Sequence, residues 1–355
     1  MTARWLLITV LTLGASGLGC STSQPFATTE LIFPAGDHEL SAVLNLPTGH
    51  PGPYPVALFV HGDGAMPAEA YGYYRPLWEH LAKQGVASFA WSKPGVDGST
   101  GHWLHQSMDD RADEVIAAIE WLQQCQEIAS DAIGLIGYSQ AGWVLPLVAA
   151  KSAHPDFMVL ISGAVNWLDQ GSYLTRTRLR AQGASSVEIE RAVAAYREGV
   201  ALLHADRTYD DYLAARGHAS LEGDGPPLSP DRFRFAQLNW HYDARAALHE
   251  IRCPVLAVFG AQDQNVEAAE SASVYREVWS AAGHDAYTIT TFPDAEHGLL
   301  KAKHFRTTNP GVAYLLKLNL MGEKAFAPGY LAHVTEWVVG ALDRPPSASS
   351  TSAAR

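Results

Sequence analysis

Short apolar runs alternate with longer amphipathic segments along most of this chain, and this alternation constrains the fold more than any other feature. Val56–Val60 and Phe157–Ser162 have the length of buried strands, while Asp109–Gln124 places its apolar side chains on one helical face. Strands separated by helices pair in parallel, and the helices cover both faces of the sheet. The sequence therefore predicts an α/β fold with a mostly parallel, doubly wound sheet.

The remaining segments follow the same pattern. An opening hairpin is predicted at Leu31–Pro34 and Glu39–Leu46. Further strands are predicted at 86–91, 132–137, 254–259 and 287–292, and helices at 74–84, 141–150, 267–282 and 330–342. The alternation breaks between Val165 and Ala247, where no strand is predicted and Ser186–Leu203 looks helical. We therefore expect a helical cap inserted between two core strands.

This division predicts one catalytic core with an elaboration, which suits a chain of 355 residues with 47% hydrophobic content. The core is expected to comprise residues 30–164 and 248–342, and the cap residues 165–247. Residues 343–355 are rich in Pro, Ser and Ala, a composition that predicts a disordered tail.

The first 19 residues have the layout of an export signal peptide, because Arg4 precedes the apolar run Trp5–Leu13 and small residues follow it. That run is too short to span a membrane. Export would place Cys125 and Cys253 in an oxidising compartment, where they form either a disulfide or two buried free thiols.

The stretch Gly17-Leu18-Gly19-Cys20 resembles a bacterial lipobox, although Gly17 stands where that pattern prefers Leu. The resemblance implies that Cys20 is lipidated, that residues 20–29 form a tether, and that the protein is held on a membrane of the cell envelope. Ser21 after the Cys implies the outer membrane or its periplasmic face. The alternative is an ordinary signal peptide, with Cys20 incidental.

The charge of the chain argues against nucleic acid as a partner. The formal net charge is −12, and no run of Lys and Arg is interleaved with aromatic residues. The sequence does not determine the oligomeric state.

The sharpest local motif is the apolar run Ile133–Gly137, which leads into Tyr138-Ser139-Gln140-Ala141-Gly142 and then a helix. Small residues at 137 and 141 allow the chain to turn sharply around a strained serine, whose hydroxyl is then exposed at the end of the strand. Ser139 is therefore the predicted nucleophile.

A serine hydroxyl needs a general base, and the base needs a carboxylate that orients it. In a sheet of this type the acid and the His follow the Ser along the chain, each after a late strand. Asp263 follows the predicted strand 254–259, and His297 follows the predicted strand 287–292. These positions predict a catalytic triad of Ser139, Asp263 and His297.

Asp294 and Glu296 are alternative acids. They lie so close to His297 in sequence that they share its loop, which favours Asp263. Acyl transfer also needs donors for the developing oxyanion, and we expect the backbone N–H groups of Gln140 and Asp63 to supply them. The Asp63 carboxylate must then point away from the oxyanion.

From about Thr28 to Leu342 the chain resembles the α/β-hydrolase superfamily, specifically its bacterial serine esterase and dienelactone-hydrolase-like branch. The resemblance rests on Phe59–Gly64, Ser92–Ser99, Gly137–Trp143 and Cys253–Gly260. It implies a carboxylesterase that cleaves a small-molecule ester through an acyl-enzyme, without metal or cofactor. Such relatives often carry Asp where Ser92 stands and Gly where Asp97 stands. Dienelactone hydrolases proper use Cys, and haloalkane dehalogenases and epoxide hydrolases use Asp, so Ser139 argues against those activities.

Other functions stay open on the same triad. An aminopeptidase would need cap carboxylates for a substrate ammonium, for which Glu222 or Asp224 could serve. An acyl-CoA thioesterase or acyltransferase, and a lipoprotein that uses the fold only for binding, are further alternatives. The pocket is expected to be lined by cap aromatics, unless these only pack the cap. They are Trp167, Tyr173, Trp240 and Tyr242.

Overall fold

The computed structural model describes residues 24–151, 155–203, 207–215, 227–307 and 311–344. The predicted signal peptide, Cys20, Glu222, Asp224 and residues 345–355 therefore lie outside the described residues. Within the described ranges, no helix is both long and apolar enough to cross a membrane.

One mixed sheet forms the centre of the fold. Its strands are Phe26–Ala35 (β1), His38–Pro47 (β2), Tyr54–Val60 (β3), Ala87–Trp91 (β4), Ile128–Tyr138 (β5), Met158–Ile161 (β6), Val255–Gly260 (β7) and Tyr287–Phe292 (β8). Their order across the sheet is β1-β2-β4-β3-β5-β6-β7-β8. The β1–β2 and β2–β4 pairs are antiparallel, and all pairs from β4 to β8 are parallel. The predicted mostly parallel sheet is confirmed.

Helices cover both faces of this sheet. They are Arg75–Ala82 (α1), Met108–Leu122 (α2), Ala141–Ala150 (α3), Trp167–Ala181 (α4), Ser186–Ala201 (α5), Tyr209–Ala215 (α6), Pro230–Asn239 (α7), Arg245–Leu248 (α8), Ala268–Ala281 (α9), Ala302–Phe305 (α10), Val312–Met321 (α11) and Tyr330–Leu342 (α12). Short 3₁₀ helices span Ala70–Gly72, Trp103–His105 and Gly322–Ala325. One buried cluster joins α2, α3 and α9 to the sheet, and another joins α1 and α12 to its opposite face. The fold is therefore doubly wound.

The insertion between β6 and β7 is helical in its described part, as the sequence predicts. It contains α4 to α8, and a bridge between Asn166 and Asp243 brings its two ends together. Tyr196, Leu203 and Phe233 belong to a small apolar cluster of its own. The insertion is therefore a second layer with its own core.

The structure corrects the expected element assignment in two places. The predicted tether is wrong for residues 26–29, which pair with residues 44–47 in the β1–β2 ladder. Phe26 is buried edge-on against Trp78 with ring centroids 6.4 Å apart, and this burial favours a strand over a solvated tether. The sequence also predicted no element between His297 and Tyr330, where α10 and α11 lie.

Cys125 and Cys253 are both free thiols. Burial raises the pKa of Cys125 to about 11 and that of Cys253 to about 12. Both therefore stay protonated at neutral pH, which makes them poor nucleophiles.

Helix α3 and the loop after β6 lie so close together that a side chain would not fit between them. A Cβ atom on Gly142 would lie 2.6 Å from Gly163 Cα and 3.2 Å from Tyr275 Oη. The exposed Gly340, near the end of α12, has no atom within 4 Å of the same position. The two helical glycines therefore differ in the room available for a side chain, and of the two only Gly142 is required by packing.

We expect Gly142→Ala to lower the free energy of unfolding by about 1–3 kcal/mol, because the added methyl must displace backbone. Gly340→Ala should raise it by up to about 1 kcal/mol, because Ala is the better helix former and nothing obstructs it. Urea denaturation of both variants measures the difference. Equal effects of the two substitutions would contradict the close approach.

Candidate active site

Ser139 lies in the sharp turn between β5 and α3. Its φ is +53°, in the left-handed region that residues other than Gly rarely adopt. Its backbone N–H donates to Ile161 O at 2.8 Å, which ties the turn to the neighbouring strand. A Cβ atom on Gly62 would lie 3.1 Å from Ser139 Cβ, so the loop after β3 also passes close by. The turn expected from the motif is present and is held from two sides.

Asp263 and His297 follow β7 and β8, the two strands that the sequence assigned to them. The His297 Nδ1–H donates to Asp263 Oδ2 at 2.8 Å. Asp263 Oδ1 accepts from the backbone N–H groups of Asn265 at 2.7 Å and Val266 at 3.0 Å. The carboxylate is fully buried, and these bonds leave it one orientation. His297 Nε2 is left as the proton acceptor of the ring.

Opposing effects set the pKa of His297. Burial lowers this pKa, whereas the hydrogen-bonded Asp263 carboxylate and the nearby Glu296 raise it. The raising effects are the larger, so the pKa of His297 lies above its ordinary value. The imidazolium form is therefore stabilised by its neighbours. A His that accepts a proton during a reaction benefits from this stabilisation.

The two alternative acids do not reach His297 Nδ1, which is occupied by Asp263. Glu296 instead turns back on its own loop, where its Oε1 accepts from Gly298 N–H at 2.7 Å and Leu300 N–H at 3.1 Å. Burial raises the pKa of Glu296 to about 7, against the lowering effects of His297 and those N–H groups. Glu296 therefore shapes the His297 loop from within.

The loop after β3 places Asp63 at the same site. Among the described residues, neither the Asp63 N–H nor the Gln140 N–H donates to a backbone acceptor. The Asp63 carboxylate is bound by Arg232 of α7, with Nη1–Oδ1 and Nη2–Oδ2 distances of 3.0 and 2.6 Å. Burial alone would raise the pKa of Asp63, but Arg232 lowers it to about 2. The carboxylate is thus paired with a cation of the cap.

Two buried cations hold this loop, and the sequence analysis missed both. Lys93 Nζ donates to Gly62 O at 2.6 Å, and Arg111 Nη2 donates to His61 O at 2.6 Å. Gly62 C=O and Asp63 N–H belong to one planar trans peptide, so holding the carbonyl also fixes the direction of the N–H. Arg111 Nη1 donates to Gln140 Oε1 at 2.6 Å and thereby joins the two loops.

A capping box places Arg111 at this point. Ser107 Oγ accepts from Asp110 N–H at 3.1 Å, and the Asp110 carboxylate accepts from Ser107 N–H at 2.8 Å. This arrangement fixes the first turn of α2, on which Arg111 follows. The local pattern signals the start of a helix, but nothing in it shows that Arg111 turns inward.

Ser139 and His297 line a cavity of about 270 Å³ together with Asp63. Its walls are mostly apolar or aromatic and come from the core, including Met66, Ala70, Tyr73, Tyr138 and Ile161. A concave, largely apolar site with a few polar groups is the usual form of a small-molecule site.

The four cap aromatics expected to line the pocket lie elsewhere. Trp167 and Tyr242 pack on Trp143 of α3 at centroid distances of 5.6 and 5.7 Å. Tyr173 Oη donates to Asp263 O at 2.9 Å, and Trp240 packs against the apolar cluster of the cap. The cap rests on α3 and on the loop after β7 through Trp167, Tyr242 and Tyr173, whereas Trp240 packs within the cap.

One group of side chains in the described part of the chain could hold a metal ion. The ligand atoms of His102, His105 and Asp231 lie within 4.8 Å of one another. The two imidazoles are stacked at 4.4 Å with planes 19° apart, so their lone pairs run side by side and do not converge on one point. His105 Nε2 and Asp231 Oδ1 are 2.8 Å apart. This hydrogen bond joins α7 to the core beside the Asp63–Arg232 pair.

The pKa of Glu296 makes the stability of the protein depend on pH. A carboxyl whose pKa rises from about 4.5 to about 7 on folding favours the folded state below pH 4.5, and this contribution is lost as the pH rises through 7. Glu296→Gln keeps the Oε1 acceptor and cannot ionise. Urea midpoints between pH 4.5 and 8 should therefore fall less in Glu296→Gln than in the wild type. The exposed Glu336→Gln is the matched control, and a flattening of equal size there would contradict the assignment.

Comparison with solved structures supports the same fold. An esterase from Pyrococcus furiosus superposes with a TM-score of 0.54 and 15% identity, covering 89% of this chain and 93% of the esterase. Est1E from Butyrivibrio proteoclasticus gives 0.53 and 14%, covering 89% and 99%. The proline iminopeptidase of Mycobacterium smegmatis gives 0.53 and 16%, covering 88% and 99%. Identities this low show the α/β-hydrolase fold alone.

The sequence itself matches one protein family. No curated protein matches the chain significantly. The family described as X-Pro dipeptidyl-peptidase (S15 family) matches residues 36–297, which is more than half of the chain and extends from the β1–β2 turn to His297. The chain is thus an α/β-hydrolase that belongs to the S15 family.

Proposed function

We propose that this protein hydrolyses carboxylic esters through an acyl-enzyme on Ser139. The observation that carries the proposal is the 2.8 Å hydrogen bond between His297 and Asp263, at a cavity that is lined by both Ser139 and His297. A hydroxyl, an oriented imidazole and a buried carboxylate are the groups that acyl transfer requires.

The reaction proceeds in two halves. His297 Nε2 takes the Ser139 proton as Oγ attacks the ester carbonyl, and the Asp63 and Gln140 N–H groups stabilise the oxyanion. The tetrahedral intermediate collapses, the alcohol leaves with the proton from His297, and Ser139 carries the acyl group. Water then attacks this ester with His297 as base, and the carboxylic acid and free Ser139 are restored.

The charges around the cavity favour an ester over a peptide with a free amino terminus. The one carboxylate that lines the cavity in the described part of the chain, Asp63, binds Arg232. Asp263 binds His297, and Glu296 binds its own loop. An aminopeptidase needs a carboxylate for the substrate ammonium, and the wall residues Met66 and Ile161 offer none.

The second candidate is a peptidase that acts next to proline. The name of the matched family and the proline iminopeptidase neighbour favour it. Glu222 and Asp224, outside the described residues, would then hold the ammonium. A thioesterase or acyltransferase on the same triad, and a purely binding role, have no structural observation in their favour.

A substrate panel separates these candidates. We expect p-nitrophenyl esters of graded chain length to give kcat/KM values at least about tenfold above those of aminoacyl and X-Pro p-nitroanilides, because the carboxylate that lines the cavity in the described part of the chain already binds Arg232 and cannot hold an ammonium. Ser139→Ala is the control and should abolish turnover of either class. Faster turnover of X-Pro anilides than of every ester would establish the peptidase.

The acid of the triad is tested by a pair of amide substitutions. Asp263→Asn should lower kcat roughly 10²–10⁴-fold, because it removes the charge that orients and stabilises His297, while Asp294→Asn should change it less than about threefold. Wild-type kcat/KM should rise with pH through an ionisation above the ordinary His range, since only neutral His297 accepts a proton and its pKa is raised. That limb should move to lower pH in Asp263→Asn. A larger loss in Asp294→Asn would transfer the role of the acid.

A further inference from the structure

Exposed apolar side chains are concentrated at one place on the surface. Seven large hydrophobic side chains are exposed in the described part of the chain, and three of them, Val312, Leu316 and Leu320, lie on α11 with exposures of 75%, 61% and 87%. Their spacing of four residues puts them on one side of the helix. Tyr71, which is 48% exposed, adjoins them through the Asn319 side chain, whose Nδ2 donates to Tyr71 O at 3.0 Å. We call these four residues the α11 patch.

Helix α11 is apolar on both sides, which distinguishes it from an ordinary surface helix. Its inner side packs through Leu318 and Tyr314, the latter against Phe305 at 5.1 Å between centroids. Its outer side, with Val312, Leu316 and Leu320, faces solvent. A helix that is hydrophobic all round is normally covered on all sides, and an exposed cluster of this kind marks an interaction site.

The charge of the segment that carries α11 indicates what covers the patch. Between residues 301 and 324 the chain carries five cations and one acidic residue, although the whole protein has a net charge of −12. They are Lys301, Lys303, Arg306, Lys317, Lys324 and Glu323. A second copy would bring the same basic segment against itself in a two-fold dimer, which like charges oppose. Exposed apolar side chains within a segment rich in Lys and Arg suit the interface of an anionic bilayer.

The patch also adjoins the candidate active site. Tyr71 belongs to the 3₁₀ turn Ala70–Gly72, and Ala70 and Tyr73 on either side of it line the cavity. Ala70 and Tyr71 have φ values of +47° and +56°, so this turn depends on contacts such as that from Asn319. A surface that contacts α11 is therefore also close to the wall of the cavity.

We propose that the α11 patch docks on an anionic lipid bilayer, with its apolar side chains in the acyl boundary and the net positive charge of residues 301–324 attracting the headgroups. This places the cavity next to the membrane, where apolar substrates concentrate. The docking is independent of the expected lipid attachment at Cys20 and of the ester chemistry at Ser139.

Vesicle sedimentation of the full chain tests the proposal. Every variant carries Cys20→Ala, which removes the expected lipid attachment, and Ser139→Ala, which removes turnover. Vesicles of phosphatidylglycerol and phosphatidylcholine in equal amounts should bind this chain, with at least tenfold weaker binding to pure phosphatidylcholine. Leu316→Asp with Leu320→Asp should weaken binding to the anionic vesicles at least tenfold. The control is Val187→Asp with Leu213→Asp, two exposed apolar positions on α5 and α6 (66% and 41%), which should bind as the parent does.

The outcomes are distinct. Far-ultraviolet circular dichroism of both double variants checks that the fold is intact. Turnover of the water-soluble p-nitrophenyl acetate, measured with Ser139 restored, checks that the site is intact. Failure of the parent to bind anionic vesicles, or an equal loss in the control pair, overturns the proposal. A dimer in light scattering that only the patch variant loses also overturns it, because a second copy would then cover α11. Because binding is read without turnover, an absence of esterase activity would leave this result unaffected.

Discussion

The backbone turn at Ser139 is the constraint on which the other features depend. A side-chain-bearing residue at φ +53° is strained, and the turn persists because backbone approaches it from several sides. A Cβ atom at Gly137 would lie 2.8 Å from Ala141 Cβ, and one at Gly142 would lie 2.6 Å from Gly163 Cα. The packing of glycines around this turn therefore sets where α3 begins and how β5 meets β6, which in turn sets the floor of the cavity.

Charged side chains hold the loop after β3 in its orientation above the floor of the cavity. Lys93 and Arg111 are buried, and each gives hydrogen bonds to backbone carbonyls of the loop rather than to a carboxylate. Burial lowers the pKa of Lys93 well below its ordinary range, a cost that such a contact must offset. On the cap side, Arg232 neutralises the Asp63 carboxylate that would otherwise oppose a developing oxyanion. The cap thus contributes electrostatically to the site although its aromatic rings lie away from the cavity.

The parts of the fold that could be predicted from sequence are those encoded locally. The turn at Ser139, the order of Asp263 and His297 after the late strands, and the break in alternation at the cap each follow from a short pattern. Arg111 and Arg232 could not be predicted, because their partners are 29 to 169 residues away and an inward-facing arginine leaves no periodic signal. Helix α11 was missed for a related reason: with apolar residues on both sides, it lacks the polar face that identifies a surface helix. Phe26 was assigned to a tether because one buried ring in a polar stretch does not form a pattern.

Whether Ser139 is a nucleophile activated by His297 is tested most directly by covalent labelling with a fluorophosphonate, followed by peptide mass mapping. A hydroxyl with an oriented imidazole beside it reacts with such a probe, whereas an ordinary serine does not. We predict one adduct per chain, on the peptide that contains Ser139, with a labelling rate that falls by orders of magnitude in His297→Ala. An adduct on another residue, or no adduct on a folded protein, would contradict the assignment of Ser139.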